Sequence, residues 1–125
     1  FLDRSTPKEG LKTILTAIEY IRSGISICIF PEGTRNTGEE LSMLPFKDGA
    51  LKIAEKTGCP IIPMSMNNTQ AIFEKHLPFV RKAHVVLEYG TPIYPDKLDK
   101  ETKRHLGAYC QNIIQETIIK NQSLV

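Results

Sequence analysis

The sequence predicts an α/β domain in which helices flank a partly parallel sheet. Three observations carry that reading. Thr6-Pro7-Lys8-Glu9 is a capping box with proline at the first helical position, and Leu11, Ile14, Leu15, Ile18 and Ile21 follow it at helical spacing. A nearly continuous apolar run then fills residues 25–30, as expected of a strand covered on both faces. Strand-like and helix-like segments alternate from there to the C-terminus, the pattern of an α/β domain.

Taken in order, Phe1-Leu2-Asp3-Arg4 reads as the tail of a strand, so the chain is expected to be an N-terminally truncated piece. Ser23-Gly24 closes the first helix. That helix joins the Phe1 strand to the 25–30 strand as a parallel crossover, which places Arg4 and residues 30–35 at one carboxyl edge of the sheet. Residues 34–45 are a polar loop, with Asn36-Thr37-Gly38 marking a turn. A short helix follows from about Gly49 to Thr57, with Leu51, Ile53 and Ala54 on its apolar side and Gly58 ending it. Residues 60–66 are apolar, but Pro60 and Pro63 make them an edge strand or one with an irregular start. Residues 67–82 read ambiguously. Residues 84–90 form a good strand, and Thr91-Pro92-Ile93 leads out of it. A last helix begins near Asp99, with Leu106, Tyr109, Cys110, Ile113, Ile114 and Ile118 as its apolar stripe. One such stripe is read as a core-packing face rather than a membrane anchor.

Composition narrows the function classes. The 125 residues are 41% hydrophobic and 24% charged, with a net charge of +2, which suits one globular domain and gives no argument for nucleic acid. No stretch approaches the ~18 apolar residues of a membrane span. Cys28, Cys59 and Cys110 lack C-x-x-C spacing and are read as reduced, partly buried thiols; a catalytic thiolate is the sharper alternative, but no histidine lies close in sequence. No His, Cys, Asp or Glu cluster has metal-ligand spacing.

The chemistry concentrates at Phe30-Pro31-Glu32-Gly33-Thr34-Arg35, where the apolar run stops and presents an acid, a glycine, a hydroxyl and a guanidinium together. Strand ends feeding loops are where α/β sheets place their chemistry, and the planar guanidinium fork suits a phosphate. Phe46-Lys47-Asp48-Gly49 adds a second cation just ahead of a helix, where backbone N–H groups also favour an anion. Arg4, Arg35 and Lys47 are thus directed toward one anion. G-x-x-x-x-G-K-[ST] and G-x-G-x-x-G are both absent, which removes the two commonest reasons to prefer an unrelated phosphate-binding fold.

These blocks resemble the glycerolipid acyltransferase family. Residues 30–35 with 46–49 look like its third motif block, Phe1-Leu2-Asp3-Arg4 like the end of its second, and Ile61-Ile62-Pro63-Met64 like its fourth. Within the family the resemblance is to the lysophosphatidate acyltransferases. It implies a glycerol-3-phosphate acyltransferase-like fold, with residues 1–125 as the C-terminal portion of a single acyltransferase domain.

The family's first block, H-x-x-x-x-D, is missing. The fifth residue after His76 is Arg81, after His84 Tyr89 and after His105 Cys110, so the three histidines are read as ordinary surface or strand residues. The resemblance puts the catalytic base upstream of Phe1, leaving no catalytic residue in this chain and predicting that the chain alone is inactive.

The implied reaction moves an acyl group from acyl-CoA or acyl-ACP to the sn-2 hydroxyl of 1-acyl-sn-glycerol 3-phosphate, giving phosphatidate. It needs no cofactor and no metal. Arg4 and Arg35 would clamp the acceptor's phosphate, and Lys47 would add charge or lie in solvent. Glu32 would position the acceptor, hold Arg35, or simply pair with it. Gly33 would permit a backbone conformation or close approach that a Cβ blocks, and Thr34 would bond the phosphate or its own turn. Pro63 would shape the pocket wall or the sheet edge.

The implied partners are lysophosphatidate, acyl-CoA or acyl carrier protein, and a membrane surface reached through the upstream part. The place is the cytoplasmic face of the membrane, with this piece itself soluble. Alternatives left open are an acyltransferase for glycerol 3-phosphate or another lysophospholipid, and a non-catalytic lysophospholipid-binding module.

Overall fold

A computed structural model of the chain describes residues 7–33, 38, 42–73, 75 and 77–125. Helix α1 spans Pro7–Arg22. It ends in a Schellman motif: Gly24 sits at φ +95°, its N–H donates to Ile21 O at 3.0 Å, and Ile25 N–H donates to Tyr20 O at 3.0 Å. The Thr6 cap expected ahead of α1 lies outside the described residues. Helix α2 spans Asp48–Thr57 and stops at Gly58, whose φ of +72° lets its N–H reach Ala54 O at 2.9 Å.

Strands β1 (Met64–Asn67) and β2 (Val86–Tyr89) pair antiparallel, with Met64 opposite Tyr89 and Asn67 opposite Val86. Pairing continues beyond the regular strands. Gly90 N–H donates to Pro63 O at 2.8 Å, and Ile61 and Ile93 exchange two 2.7 Å bonds. Between those contacts the second strand uses one residue more than the first, a bulge at Thr91-Pro92. The irregular, proline-led start expected of this strand is therefore present. A 3₁₀ turn at Pro95–Lys97 leads to α3 (Lys100–Arg104), whose Asp99 cap accepts a 2.8 Å bond from Thr102 N–H. That bond holds the Asp99 carboxyl below its usual pKa. Helix α4 (Leu106–Asn121) follows directly, because His105, at φ −118° and ψ +42°, breaks what the sequence presents as one helix.

Helix α4 packs on β1 and on α2, and α2 packs on α1. The core between them gathers Leu51, Ile93, Leu106 and Cys110, with Phe46, Ile61, Leu98 and Ile113 against it. The apolar stripe of α4 is thus a packing face. Burial pushes the Cys110 thiol up to about 11, so it stays protonated and inert at neutral pH. The β1 residues facing α4 are polar, and they bond to helix carbonyls. Asn67, fully buried, donates from Nδ2 to Ile118 O at 2.9 Å, while Ser65 Oγ lies 3.5 Å from Ile114 O. Asn67 Oδ1 has no hydrogen-bond partner among the described residues. On β2, Glu88 accepts from Lys120 Nζ at 2.9 and 3.0 Å and from Asn121 Nδ2 at 3.3 Å, which lowers its pKa.

One expectation is not confirmed and another fails. The sheet among the described residues is antiparallel rather than partly parallel. Residues 25–30 form no strand there, and they are not covered on both faces: Ile25 is 52% exposed, Phe30 is 70% exposed, and Cys28 is exposed as well. A strand is defined by its ladder, and none of the described segments pairs with this run. The Phe1 strand that would form the parallel crossover lies outside the described residues. Among the described residues no helix is long and apolar enough to cross a membrane.

Candidate functional site

The loop between residue 30 and α2 is closed on itself at its base. Gly33, at φ +77°, completes a turn in which its N–H donates to Phe30 O at 3.1 Å. Such a φ strains any residue with a Cβ, which accounts for glycine between Glu32 and Thr34. Lys47 N–H donates to Pro31 O at 2.9 Å, and Leu44 N–H donates to Glu32 Oε2 at 3.1 Å. Together these bonds join the two motif blocks that the sequence separates: Glu32 and Gly33 lie across the loop base from Lys47.

Lys47 stands at the N-cap of α2 with extended dihedrals and an exposed side chain. Its backbone therefore adjoins the N–H groups of the helix's first turn, the end of a helix that favours an anion. Gly49, in that turn, has open space where a Cβ would be. The Glu32 carboxylate holds the backbone of the returning strand of the loop at Leu44. Arg4, Thr34 and Arg35 lie outside the described residues. Pro63 belongs to the sheet edge: it is buried and accepts from Gly90. His84 and His105 are exposed, and His105 Nε2 lies 3.8 Å from Glu101. His76 lies outside the described residues.

Gln111 is the residue that sequence reasoning missed. From α4, its Nε2 donates to Leu44 O at 3.3 Å while its Oε1 accepts from Phe46 N–H at 3.4 Å. The side-chain amide thus serves both a carbonyl and an N–H of the loop, as a neighbouring strand would. A signal was present: Gln111 stands at helical spacing with buried Gly107 and Ile118, a polar side chain on the inward face of α4. A separate groove of about 510 Å³ runs between the β2 exit and α4, lined by Thr91, Tyr94, Lys97, Tyr109, Ile113 and Thr117 among others. Of the sequence-predicted site residues that are described, Glu32, Gly33 and Lys47, none lines it.

Comparison with known proteins adds to this geometry. The family model described as Acyltransferase matches residues 1–67, more than half of the chain. The 1-acyl-sn-glycerol-3-phosphate acyltransferase of Borreliella burgdorferi is 35% identical over 120 residues, covering 96% of this chain and 46% of that protein. The enzyme of the same name from Escherichia coli is 34% identical over 118 residues, covering 94% and 46%. The one from Cocos nucifera is 37% identical over 106 residues, covering 83% and 33%.

Among solved structures, that of the 1-acyl-sn-glycerophosphate (LPA) acyltransferase PlsC from Thermotoga maritima superposes with a TM-score of 0.76 at 28% identity. The overlap covers 89% of this chain and 44% of that one. The chain spans less than half the length of each of these relatives. On the family match, which includes both the F-P-E-G-T-R and F-K-D-G blocks, the chain belongs to the acyltransferase family.

Proposed function

We propose that this chain is part of a 1-acyl-sn-glycerol-3-phosphate acyltransferase and supplies the acceptor-phosphate side of its site. The observation that carries the reading is the closed loop base, where the Pro31–Lys47 and Glu32–Leu44 bonds bring the two motif blocks together. The relatives named above share the implied activity, and none of them has been matched over its whole length.

In the proposed reaction the acceptor's sn-2 hydroxyl attacks the carbonyl carbon of an acyl thioester, from acyl-CoA or acyl-ACP. A base removes the hydroxyl proton, the C–S bond breaks, and the thiol leaves as phosphatidate forms. The base is worth about 10²–10⁴-fold and is expected from the H-x-x-x-x-D block upstream of this chain. Arg4 and Arg35 clamp the phosphate, Lys47 adds charge at the α2 N-terminus, and Thr34 contributes a hydroxyl. Gly33 gives the turn its left-handed residue, and Glu32 holds the loop that presents them. Anchoring the phosphate fixes the hydroxyl against the thioester carbon, which is the positional part of the catalysis. The enzyme is expected to work at the cytoplasmic face of a membrane.

The test is steady-state turnover of the full-length enzyme, read as free thiol release from acyl-CoA. Arg35→Ala is expected to weaken use of lysophosphatidate by about 10–100-fold, since a hydrogen bond to a charged group is worth about 1.5–3 kcal/mol. Arg35→Lys is expected to restore only part of this, because a point charge lacks the bidentate fork. Turnover with lysophosphatidate unaffected by Arg35→Ala would refute the clamp. Thiol release that depends on glycerol 3-phosphate rather than lysophosphatidate would reassign the acceptor.

A further inference from the structure

Residues 72–73, 75 and 77–82 belong to a loop that the site above does not use. Its base is tied shut: Arg81 N–H donates to Ile72 O at 2.8 Å, and Asn68 Nδ2 donates to His84 O at 3.0 Å. A third bond, Gln70 Nε2 to Gly38 O at 3.0 Å, links this base to the segment that follows the F-P-E-G-T-R block. The closed loop turns its apolar side chains outward. Leu77, Phe79 and Val80 are 63%, 68% and 73% exposed, and Ile72 and Phe73 are exposed beside them. Lys75, Arg81 and Lys82 flank this tip and are exposed too. Across residues 72–82 the sequence sets three Lys or Arg against one carboxylate, Glu74.

A contiguous apolar tip left in water marks an interaction surface, and the cations decide which kind. A protein interface depletes lysine at its core and desolvates the charges it covers. A bilayer surface instead takes the apolar tip into the acyl boundary and leaves ammonium and guanidinium groups among lipid phosphates, where their stems reach outward.

We propose that the 72–82 loop docks on an anionic lipid bilayer, with Phe79 and Val80 entering the acyl boundary and Lys75, Arg81 and Lys82 engaging headgroup phosphates. The proposal stands on the loop's own geometry and does not rest on the acyl-transfer reading. Through the Gln70–Gly38 bond, docking sets the segment after the F-P-E-G-T-R block close to the lipid surface.

The chain contains no tryptophan, so Phe79→Trp introduces a single fluorescent reporter. The full chain carrying it is titrated with phosphatidylcholine–phosphatidylglycerol vesicles and with phosphatidylcholine vesicles alone. A blue shift and quenching by brominated acyl chains are expected with the anionic vesicles and much less with the neutral ones. Adding Arg81→Gln and Lys82→Gln is expected to weaken partitioning about 25-fold, from roughly fivefold per cation. Three results overturn the proposal. One is an emission that neither vesicle moves. Another is an emission already blue-shifted without lipid, meaning that another protein segment or a second copy covers the loop. The third is partitioning equal on both vesicle types and indifferent to the two glutamines. Because no reading uses turnover, failure of the acyl-transfer function leaves this result intact.

Discussion

Residues 25–30 and 61–67 are both short apolar runs beside a proline, yet only the second becomes a strand. The second has a ladder. Ile61 bridges Ile93, Pro63 accepts from Gly90, and Met64–Asn67 pairs with Val86–Tyr89, all in front of α4. The first leaves Ile25 and Phe30 more than half exposed and has no ladder among the described residues. Apolar sequence nominates a strand, but the hydrogen-bonding partner decides whether one forms. Burial differs in the same way. The paired run hides two polar residues, Ser65 and Asn67, beneath helix carbonyls, whereas the unpaired run shows its isoleucines to solvent.

That contrast can be broken from either side, and the largest effect lies behind the paired run. Leu106 is 2% exposed in the core shared with Ile93. Leu106→Ala is expected to lower unfolding free energy by about 2–5 kcal/mol, measured by urea denaturation, because the cavity adds to the lost transfer term. Next comes the bulged end of the ladder, where a Cβ on Gly90 would lie 2.8 Å from Pro63 Cγ. The proline ring cannot swing aside, so Gly90→Ala is expected to cost about 1–3 kcal/mol in the same titration. Smallest is the unpaired run. Ile27→Ser is expected to stay within about 0.5 kcal/mol of the parent, as for an exposed position. A loss there as large as that of Gly90→Ala would show that residues 25–30 are covered in solution, and the contrast would collapse.

What was legible in the sequence is what is decided locally. Helices α1 and α2 were readable because the apolar period and the closing glycine lie within a few residues, with a proline also opening α1. Strand β2 was readable from its run of β-formers ending in Gly90. The α3–α4 break at His105 was not, since neither glycine nor proline marks it. Burial of Ser65 and Asn67 ran against the alternation rule, because their partners are carbonyls some fifty residues away. At the site, the two motif blocks nominated Glu32, Gly33 and Lys47, and bonds at the loop base join the blocks. The amide that braces their loop was invisible because a residue 65 positions from Phe46 makes that contact.

Gln111 has a consequence for where this domain can be divided. The family match ends at residue 67, and a boundary drawn there would keep every motif residue. It would also sever Gln111, whose side chain bonds the Leu44 and Phe46 backbone from α4. Opening of the C-terminal helix therefore removes the acceptor of the Phe46 N–H, and exchange of that amide proton is expected to report the docking of α4 as much as the state of its own loop. The motif's loop and the helix far behind it are joined through that one amide.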